Sequence, residues 1–265
     1  MNRTVDVVIP YKEKYTPQSL LSRAKDCVAK QSVTTSIIVR QDDGVSRARN
    51  QGLKKTNYQY VAFLDADDYW DKNKLSRQIT ELERSGNGIC LTNSKLIQRD
   101  DTTGLNEDPN EALRSIFLGK VYGLTSSILI DTEKVATKFD SSLDRREDHL
   151  FIISAAAEAG LSILEETLTN VDRHGSGLSS DDDPYMKFNL HKEFYVKSIN
   201  TESDFEQYRN EFWHFAHRNV GYLHYVQNNL SRALYHYMLS FRYNPRNVYS
   251  LLPNRSRIIV AWRVS

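Results

Sequence analysis

The stretch YVAFLDADDYWDKNKL, residues 60–75, joins an apolar run to three aspartates within four positions. The apolar run predicts a buried strand, and Asp65, Asp67 and Asp68 follow it directly. Because alternate residues of an extended chain face the same way, the side chains of Asp65 and Asp67 can point together while Ala66 points away. This pattern indicates a strand that ends at a ligand-binding site.

Strands and helices alternate on both sides of this stretch. Further strands are predicted at residues 5–9, 35–41, 94–99, 126–131 and from 161, and helices within residues 17–31, 42–56, 71–86 and 147–160. This alternation is typical of the α/β class, in which a mostly parallel sheet carries helices on both faces. Such sheets bind ligands beyond the carboxyl ends of their strands, where Asp65 and Asp67 lie.

Length and composition indicate one sizeable domain with an appendage. The chain has 265 residues, a formal net charge of +1 and 11% aromatic residues, so its totals indicate neither nucleic-acid binding nor disorder. The polar segment SSDDDPYMK, residues 179–187, precedes a change to a helical pattern. We therefore predict a catalytic domain at residues 1–183 and a helical extension at residues 184–265.

The helical extension carries Gly221, Ala233 and Pro245 at the spacings of a tetratricopeptide-like helix pair, with an unrelated amphipathic hairpin as the alternative. Arginines and aromatic residues alternate along the extension, as in segments that lie on anionic membranes. Before residue 245 we expect many of these aromatic side chains to form the core of the helix pair. In the tail we expect peripheral membrane contact through four residues: Arg255, Arg257, Trp262 and Arg263.

The cysteines and the N-terminal sequence indicate the cellular compartment of the protein. The two cysteines, Cys27 and Cys90, have the spacing of neither a disulfide framework nor a zinc site. The sequence begins MNRTVDVVIPYK, without an apolar signal region, and no segment approaches the roughly 20 apolar residues of a membrane-spanning helix. We therefore expect a cytoplasmic protein. If the protein binds a membrane, we expect it on the inner face.

Two groups of acids suit catalysis. Mg²⁺ is usually held by one or two carboxylates together with substrate phosphates, which Asp65 and Asp67 could provide. The alternative is that Asp67 or Asp68 caps the following helix. Glu147 and Asp148 begin a predicted helix, where the dipole favours an anion and a carboxylate can remove a proton. The alternative there is a pair of ordinary first-turn acids.

Five blocks carry a resemblance to a known family: VVIPYKE, GVSRARNQGL, YVAFLDADDYWDKNKLSRQ, FDSSLDRREDHLFI and HGSGLS. In order and spacing they resemble family 2 glycosyltransferases of the GT-A fold, a Rossmann-like α/β architecture, over about residues 5–180. The resemblance implies inverting transfer of a sugar from a nucleotide diphosphate sugar, with Mn²⁺ or Mg²⁺. The implied acceptor is a hydroxyl of a glycan or lipid-linked acceptor, in surface-glycan, glycoprotein or lipid-linked glycan synthesis.

The resemblance also implies roles for individual residues. Asp67 is expected to bind the metal, with Asp65 on the ribose, donor sugar or metal, and His174 approaching the metal or diphosphate from a closing loop. Asp148 is expected to be the base, with Glu147 beside it. From their charges, the neighbours Arg145 and Arg146 should hold Asp148 ionised, unless burial dominates and raises its pKa.

The implied nucleotide-binding residues are Pro10, Tyr11, Glu13, Asp43, Arg47, Arg49, Asn50 and Asp65. The sequence departs from the family at Asp43, because the segment Asp42-Asp43-Gly44 runs directly into VSRARN. Gly44 is shared by two motifs, and the helix and strand that separate these motifs in the family are missing. The nucleotide base of the sugar donor is therefore left open.

Two other functions compete with glycosyl transfer. A haloacid-dehalogenase-like phosphatase also has a strand that ends in D-x-D, but its motif normally lies on the first strand and here it lies on the third. A non-catalytic scaffold of the same fold is the second alternative, since fold alone does not establish activity.

Overall fold

The computed structural model describes residues 3–97, 101–106, 108–121, 124–172 and 183–245. The strands in these ranges are β1 (Thr4–Pro10), β2 (Thr34–Arg40), β3 (Tyr60–Phe63), β4 (Tyr69–Trp70), β5 (Ile89–Leu96), β6 (Asp101–Thr102), β7 (Leu129–Asp131) and β8 (Leu161–Val171). The α-helices are α1 (Gln18–Ala29), α2 (Val45–Leu53), α3 (Lys74–Ser85), α4 (Pro109–Phe117), α5 (Glu147–Ala159), α6 (Pro184–Thr201), α7 (Arg209–Val226) and α8 (Leu230–Tyr243). Two short 3₁₀ helices cover Thr125–Ser127 and Ser203–Tyr208.

The strands form one sheet in the order β2-β1-β3-β7-β5-β8-β4, with β6 paired to β5. The predicted α/β class is confirmed, and the long strands of the sheet run parallel, with short antiparallel strands between and beside them. β1 pairs in parallel with β2 and β3, and β5 pairs in parallel with β8, whereas β7 runs antiparallel to both β3 and β5. The chain enters β7 from the 3₁₀ helix Thr125–Ser127, which contacts the carboxyl end of β3, so β7 must run back along the sheet.

The centre of the sheet is apolar, and α2 packs closely against it. All four residues of β3 are buried, which confirms the buried strand predicted before the aspartates. A Cβ added to Gly52 in α2 would lie 2.3 Å from Cγ1 of the buried Val8 in β1, so only glycine fits at this contact. This close packing fixes α2 on β1 and places the start of α2 near the carboxyl ends of the strands.

The chain divides into two compact units. The first contains Met1–Asp181 with Lys197–Ser203, and the second contains Asp182–Val196 with Asp204–Ser265. The division between the units lies near the predicted boundary at residue 183, except that the short segment Lys197–Ser203 clusters with the first unit. Within the first unit, Lys197 at the start of this segment donates a hydrogen bond to Asp140 Oδ2 over 2.6 Å.

The second unit contains the helix pair α7–α8. A Cβ added to Gly221 would lie 3.1 Å from two ring carbons of Tyr237 and 3.3 Å from the carbonyl oxygen of Ala233, which is itself buried. The two small residues therefore lie at the contact between the helices, as either kind of helix pair requires. Buried aromatic side chains such as Phe194 and Phe212 form part of the core of this unit.

No helix in the part of the chain that the structure describes combines the length and hydropathy needed to cross a bilayer.

A histidine pair in the second unit predicts that stability depends on pH. The Nδ1 atoms of His217 and His236 lie 3.0 Å apart, a contact that needs a proton on one nitrogen and a lone pair on the other. Burial and the neighbouring His236 lower the pKa of His217 to about 4, and burial also lowers the pKa of His236, with His224 and Arg232 adding to the effect. The folded state therefore favours neutral rings.

The direction of this pH dependence follows from proton binding. Unfolded histidines titrate near pH 6.5, so below about pH 6.5 the unfolded chain binds more protons than the folded one, and acid favours unfolding. The contribution to stability is complete above about pH 6.5 and is lost as the pH falls toward about 4. Urea unfolding followed by circular dichroism is expected to show a smaller loss of stability on acidification in His217→Phe than in wild type. Equal losses would contradict the prediction.

Candidate active site

The carboxyl ends of β1, β2 and β3 meet at one edge of the sheet. The backbone N–H of Tyr11 donates to the carbonyl of Arg40 over 2.8 Å, and that of Leu64 donates to Val8 over 3.1 Å. This register brings Tyr11, Asp43 and Asp65 beyond neighbouring strand ends, as the sequence predicted for a ligand site.

The turn after β3 is held by Ser126. The backbone N–H of Asp65 donates to Ser126 Oγ over 3.0 Å, and this hydroxyl donates to Asp68 Oδ2 over 2.5 Å. Asp68 Oδ1 accepts from the backbone N–H of Asp172 over 3.1 Å. Burial raises the pKa of Asp68, and the charges of Asp65 and Asp67 raise it further. Asp68 thus joins the turn to the 3₁₀ helix before β7 and to the end of β8.

The capping alternative for Asp67 and Asp68 is wrong. Helix α3 begins at Lys74, and its N-cap residue is Asn73, which lies beyond β4 in the chain. Arg23 of α1 holds the turn from the other side, since its guanidinium donates to the carbonyl of Asp67 and pairs with Asp172 over 2.8 Å. The side chain of Asp67 is partly exposed, unlike that of Asp68.

A buried arginine joins the D-x-D turn to helix α5. Arg49 Nη2 lies 2.8 Å from Asp65 Oδ1, and Arg49 Nη1 lies 2.8 Å from Glu147 Oε1. The side chain of Arg49 is 3% exposed and covers the ring of Phe139. Burial alone would lower the pKa of Arg49, but Asp65 and Glu147 outweigh it and raise the pKa, so the guanidinium stays charged. The two predicted groups of acids therefore meet at one cation.

Two side chains predicted at the nucleotide have other partners in the structure. Arg49 uses both terminal nitrogens on carboxylates. Asn50 Nδ2 donates to the carbonyl of Phe139 over 2.8 Å, and the N–H of Phe139 donates to Asn50 Oδ1 over 2.9 Å. Arg49 and Asn50 thus hold the protein framework around the site, and their contact with a nucleotide stays a prediction.

Helix α5 begins at Glu147, where the sequence predicted a helix start, and Asp148 follows. Asp148 Oδ1 accepts a hydrogen bond from the backbone N–H of His149 and also lies 2.8 Å from the ring atom Nδ1 of His149. The Thr125 hydroxyl donates to the other oxygen, Asp148 Oδ2, over 3.3 Å. Burial alone would raise the pKa of Asp148, but His149 and Arg49 hold it well below its usual range. For Glu147, burial and the charge of Asp148 raise the pKa against the opposing effect of Arg49.

Arg146, which the sequence predicts to hold Asp148 ionised together with Arg145, donates hydrogen bonds to other partners in the structure. Arg146 Nη2 donates to the carbonyls of Ile116 and Phe117, over 3.0 and 2.7 Å, so this guanidinium is directed at the end of α4. His149 and Arg49 lower the pKa of Asp148. Adjacency in sequence suggested Arg146, but its N-cap position with a left-handed backbone turns it away from α5.

The remaining predicted nucleotide residues lie around the strand ends. Pro10 ends β1, and Tyr11 is buried with its hydroxyl donating to Gln18 Oε1 over 2.9 Å. Glu13 and Arg47 are exposed. Asp43 is exposed and pairs with Lys12, whose hydrogen bond and charge lower the pKa of Asp43.

His174, predicted to approach the metal, lies outside the described residues. Among the residues that the structure describes, no three His, Cys, Asp or Glu side chains are arranged to hold a metal ion. A magnesium or manganese site usually uses one or two carboxylates and takes its other ligands from substrate phosphates and water. Asp67 and Asp65, at the end of β3, have the right chemistry for such a site.

Sequence patterns did not reveal three residues that shape the site: Arg23, Ser126 and His149. Arg23 and Ser126 act across 44 and 58 residues of chain, so no local spacing marks them. His149 stands directly after the predicted base, and this adjacency was the one available signal.

Comparison with known proteins identifies the relatives of this chain. Residues 15–136 match the model of Glycosyl transferase family 2. The chain is similar to the amylovoran biosynthesis glycosyltransferase AmsB of Erwinia amylovora, with 34% identity over 122 residues, 41% of this chain and 40% of that protein. It is also similar to the UDP-Glc:alpha-D-GlcNAc-diphosphoundecaprenol beta-1,3-glucosyltransferase WfaP of Escherichia coli, with 28% identity over 140 residues, 52% of this chain and 55% of that protein.

These alignments span about half the length of the curated relatives or less. Among solved structures, S. aureus TarS in complex with UDP-GlcNAc has 14% sequence identity and a TM-score of 0.59, with 92% of each chain covered. At this identity the likeness establishes the fold, which is the predicted GT-A fold.

Proposed function

Because residues 15–136 match the model of Glycosyl transferase family 2, we propose that the protein transfers a sugar from a nucleotide diphosphate sugar to an acceptor hydroxyl with inversion. One observation carries the proposal. Asp65 and Glu147 bind the same guanidinium at 2.8 Å, so the D-x-D turn and the carboxylates of α5 belong to a single site. The matched range ends before α5, and the role of Asp148 therefore rests on this geometry and on the sequence resemblance.

In the proposed reaction, the acceptor oxygen bonds to the anomeric carbon while the bond from that carbon to the diphosphate oxygen breaks. Asp148 receives the acceptor proton, and the electron pair of the broken bond leaves with the diphosphate. The lowered pKa of Asp148 keeps it ionised before the reaction, and its place in the first turn of α5 adds the favourable helix dipole. Arg49 keeps the first acid of the D-x-D turn in position.

We propose Mn²⁺ or Mg²⁺ as the cofactor, held by Asp67 with Asp65 and His174 as further candidate ligands. A bound divalent cation would neutralise charge on the departing diphosphate. The support is the donor set, two carboxylates at a strand end beside the sheet edge, together with the family resemblance.

The proposed donor is a nucleotide diphosphate sugar, and the proposed acceptor is a glycan or a lipid-linked glycan. The name of WfaP specifies a UDP-sugar donor and a diphosphoundecaprenol acceptor, and TarS is known with bound UDP-GlcNAc. These names support testing UDP-sugars first. The proposed process is synthesis of a surface polysaccharide.

We further propose that the protein works at the cytoplasmic face of the membrane. The tail residues Arg255, Arg257, Trp262 and Arg263 lie outside the described residues. In the second unit, α8 exposes Leu230, Leu234, Met238 and Phe241 at helical spacing, which gives an apolar stripe. Sedimentation with anionic liposomes at low salt tests the proposal. Protein that stays in the supernatant, or a truncation at Pro253 that pellets equally well, would count against it.

The activity itself is tested by hydrolysis and transfer assays. UDP-, GDP- and dTDP-sugars are incubated with Mn²⁺, without and with a lipid-linked acceptor, and release of the nucleotide diphosphate is measured. A transferase should hydrolyse one donor slowly and consume it faster with acceptor. A phosphatase would release inorganic phosphate instead, and a scaffold would leave all donors intact.

A further inference from the structure

Arg23 of α1 joins the D-x-D turn to the end of β8 through one nitrogen atom. Its Nη2 donates to the carbonyl oxygen of Asp67 and pairs with Asp172 Oδ2 over 2.8 Å. This nitrogen carries two hydrogens, so it can make both hydrogen bonds at once. The guanidinium carbon of Arg23 also lies 4.8 Å from the centroid of the Tyr69 ring. Three contacts therefore hold the guanidinium against the turn.

The hydrogen bond from Arg23 acts on a peptide unit that is also held on its other side. The carbonyl of Asp67 and the N–H of Asp68 belong to one peptide plane, and the Asp68 N–H donates to the carbonyl oxygen of Asp65 over 3.0 Å. Because a peptide unit is planar and rigid, fixing both its C=O and its N–H fixes the orientation of the plane. This plane is part of the backbone that carries the Asp67 side chain, so its orientation limits the direction of that side chain.

Asp172 is held at two points and therefore gives Arg23 a fixed partner. Its backbone N–H donates to Asp68 Oδ1 over 3.1 Å, and its carboxylate pairs with Arg23. The side chains of Arg23 and Asp172 are 36% and 20% exposed, so substitutions at this pair do not open the apolar core. The ion pair can thus be removed in a folded protein.

On the premise of the proposed glycosyl transfer and its divalent cation, we propose that Arg23 is a positioning residue for the metal ligand Asp67. Asp172 directs the Arg23 guanidinium at the Asp67 carbonyl, and this hydrogen bond keeps the Asp67 carboxylate in the orientation that binds Mn²⁺ together with the donor diphosphate. Arg23 acts through the backbone of the turn and not as a ligand. The affinity for Mn²⁺ therefore depends on an ion pair that lies outside the ligand set.

Replacing Arg23 by methionine removes both hydrogen bonds and keeps much of the apolar stem. We expect the affinity for Mn²⁺ in the presence of UDP to fall about tenfold, at the lower end of what a hydrogen bond to a charged group contributes. UDP binding without Mn²⁺ is expected to match wild type, because the change acts only on the metal ligand. Excess Mn²⁺ is expected to restore UDP binding. Calorimetric titration of UDP at a series of Mn²⁺ concentrations measures all three.

Replacing Asp172 by alanine tests the pair from its other side. This change removes the carboxylate and keeps the backbone N–H that donates to Asp68. We expect the affinity for Mn²⁺ to fall about threefold, because Arg23 keeps its hydrogen bond to Asp67 but loses its fixed partner. Since both residues act through the same hydrogen bond, the double variant Arg23→Met, Asp172→Ala should lose no more affinity than Arg23→Met alone. Losses that add up would show that the two residues act separately and would overturn the proposal.

Arg77→Met is the matched control, because Arg77 of α3 also pairs with an acid of β8, Glu166. The proposal is overturned if Arg23→Met leaves the affinity for Mn²⁺ unchanged, if Arg77→Met lowers it equally, or if Arg23→Met weakens metal-free UDP binding to the same extent. If Arg23→Met does not fold, Asp172→Ala decides alone, and an unchanged affinity for Mn²⁺ in that variant overturns the proposal.

The binding measurement also separates this proposal from the proposed function. If wild type binds UDP with Mn²⁺ but turns over no donor, the proposed transfer fails, and the affinity for Mn²⁺ still decides the role of Arg23. If wild type transfers sugar but its UDP binding does not depend on Mn²⁺, the proposed transfer holds and the role of Arg23 is overturned.

Discussion

Replacing Asp67 by asparagine is expected to lower the rate of sugar transfer by about a thousandfold while the fold stays intact. A metal bound at a leaving diphosphate supplies several kcal/mol of transition-state stabilisation, and each 1.36 kcal/mol corresponds to about tenfold in rate. Asparagine keeps the shape of the side chain but removes the charge that holds the cation. The side chain of Asp67 is partly exposed, so the core is not disturbed.

Calorimetric titration with UDP in the presence and absence of Mn²⁺ provides the second measurement for Asp67→Asn. Binding of the nucleotide is expected to lose its dependence on Mn²⁺, and the urea midpoint is expected to match wild type. Asp71→Asn is the matched control, because Asp71 is an exposed aspartate in the next loop. Mn²⁺-dependent nucleotide binding that survives in Asp67→Asn would remove Asp67 from the proposed metal site.

Local sequence patterns predicted the parts of the fold that depend on local forces. The run before Asp65 is β3, and the apolar residues of 147–160 form α5, which begins at Glu147. Side-chain periodicity and helix-start chemistry act within a few residues, so a single sequence contains them. The resemblance of the five blocks then added the family and the fold.

The antiparallel strand and the short elements depend on distant contacts. β7 has three residues, and its direction is set by the turn at Ser126 beside the end of β3. β4 has two residues and pairs with β8 about one hundred positions later. The sequence predicted a strand at residues 126–131, which contains β7, but not its antiparallel direction, and β4 is too short for a period of two to be recognised.

The centre of the site was predicted as separate groups, and its connections were not predicted. Arg49 binds Glu147 across 98 positions, a relation that no spacing within a motif expresses. The ARN block predicted contact with a phosphate, and the structure shows two carboxylate partners of Arg49 that the block did not indicate. An arginine with 3% exposure needs carboxylates within the protein, because a buried charge without a partner is costly.

Replacing Arg49 by methionine is therefore expected to lower the free energy of unfolding by about 3–5 kcal/mol, because it leaves Glu147 and Asp65 without their buried cation. Methionine retains much of the apolar stem and removes the guanidinium, which lies over the ring of Phe139 and binds both carboxylates, so the loss reports mainly the charge. Arg47→Met is the matched control, since Arg47 is an exposed neighbour on the same helix and its replacement should change stability by less than about 0.5 kcal/mol.

The pH dependence of this loss identifies its cause. Burial already raises the pKa of Glu147, and Arg49 opposes that increase, so removing Arg49 should raise the pKa further. A carboxylate with a raised folded-state pKa destabilises the fold at neutral pH and ceases to do so when it is protonated. Urea unfolding should therefore show a smaller difference between Arg49→Met and wild type as the pH falls toward the raised pKa.

Adding Glu147→Gln to Arg49→Met should recover part of the stability at neutral pH. If the double variant loses the sum of the two single losses, Arg49 and Glu147 are not coupled, and the bridge between the D-x-D turn and α5 does not stabilise the protein.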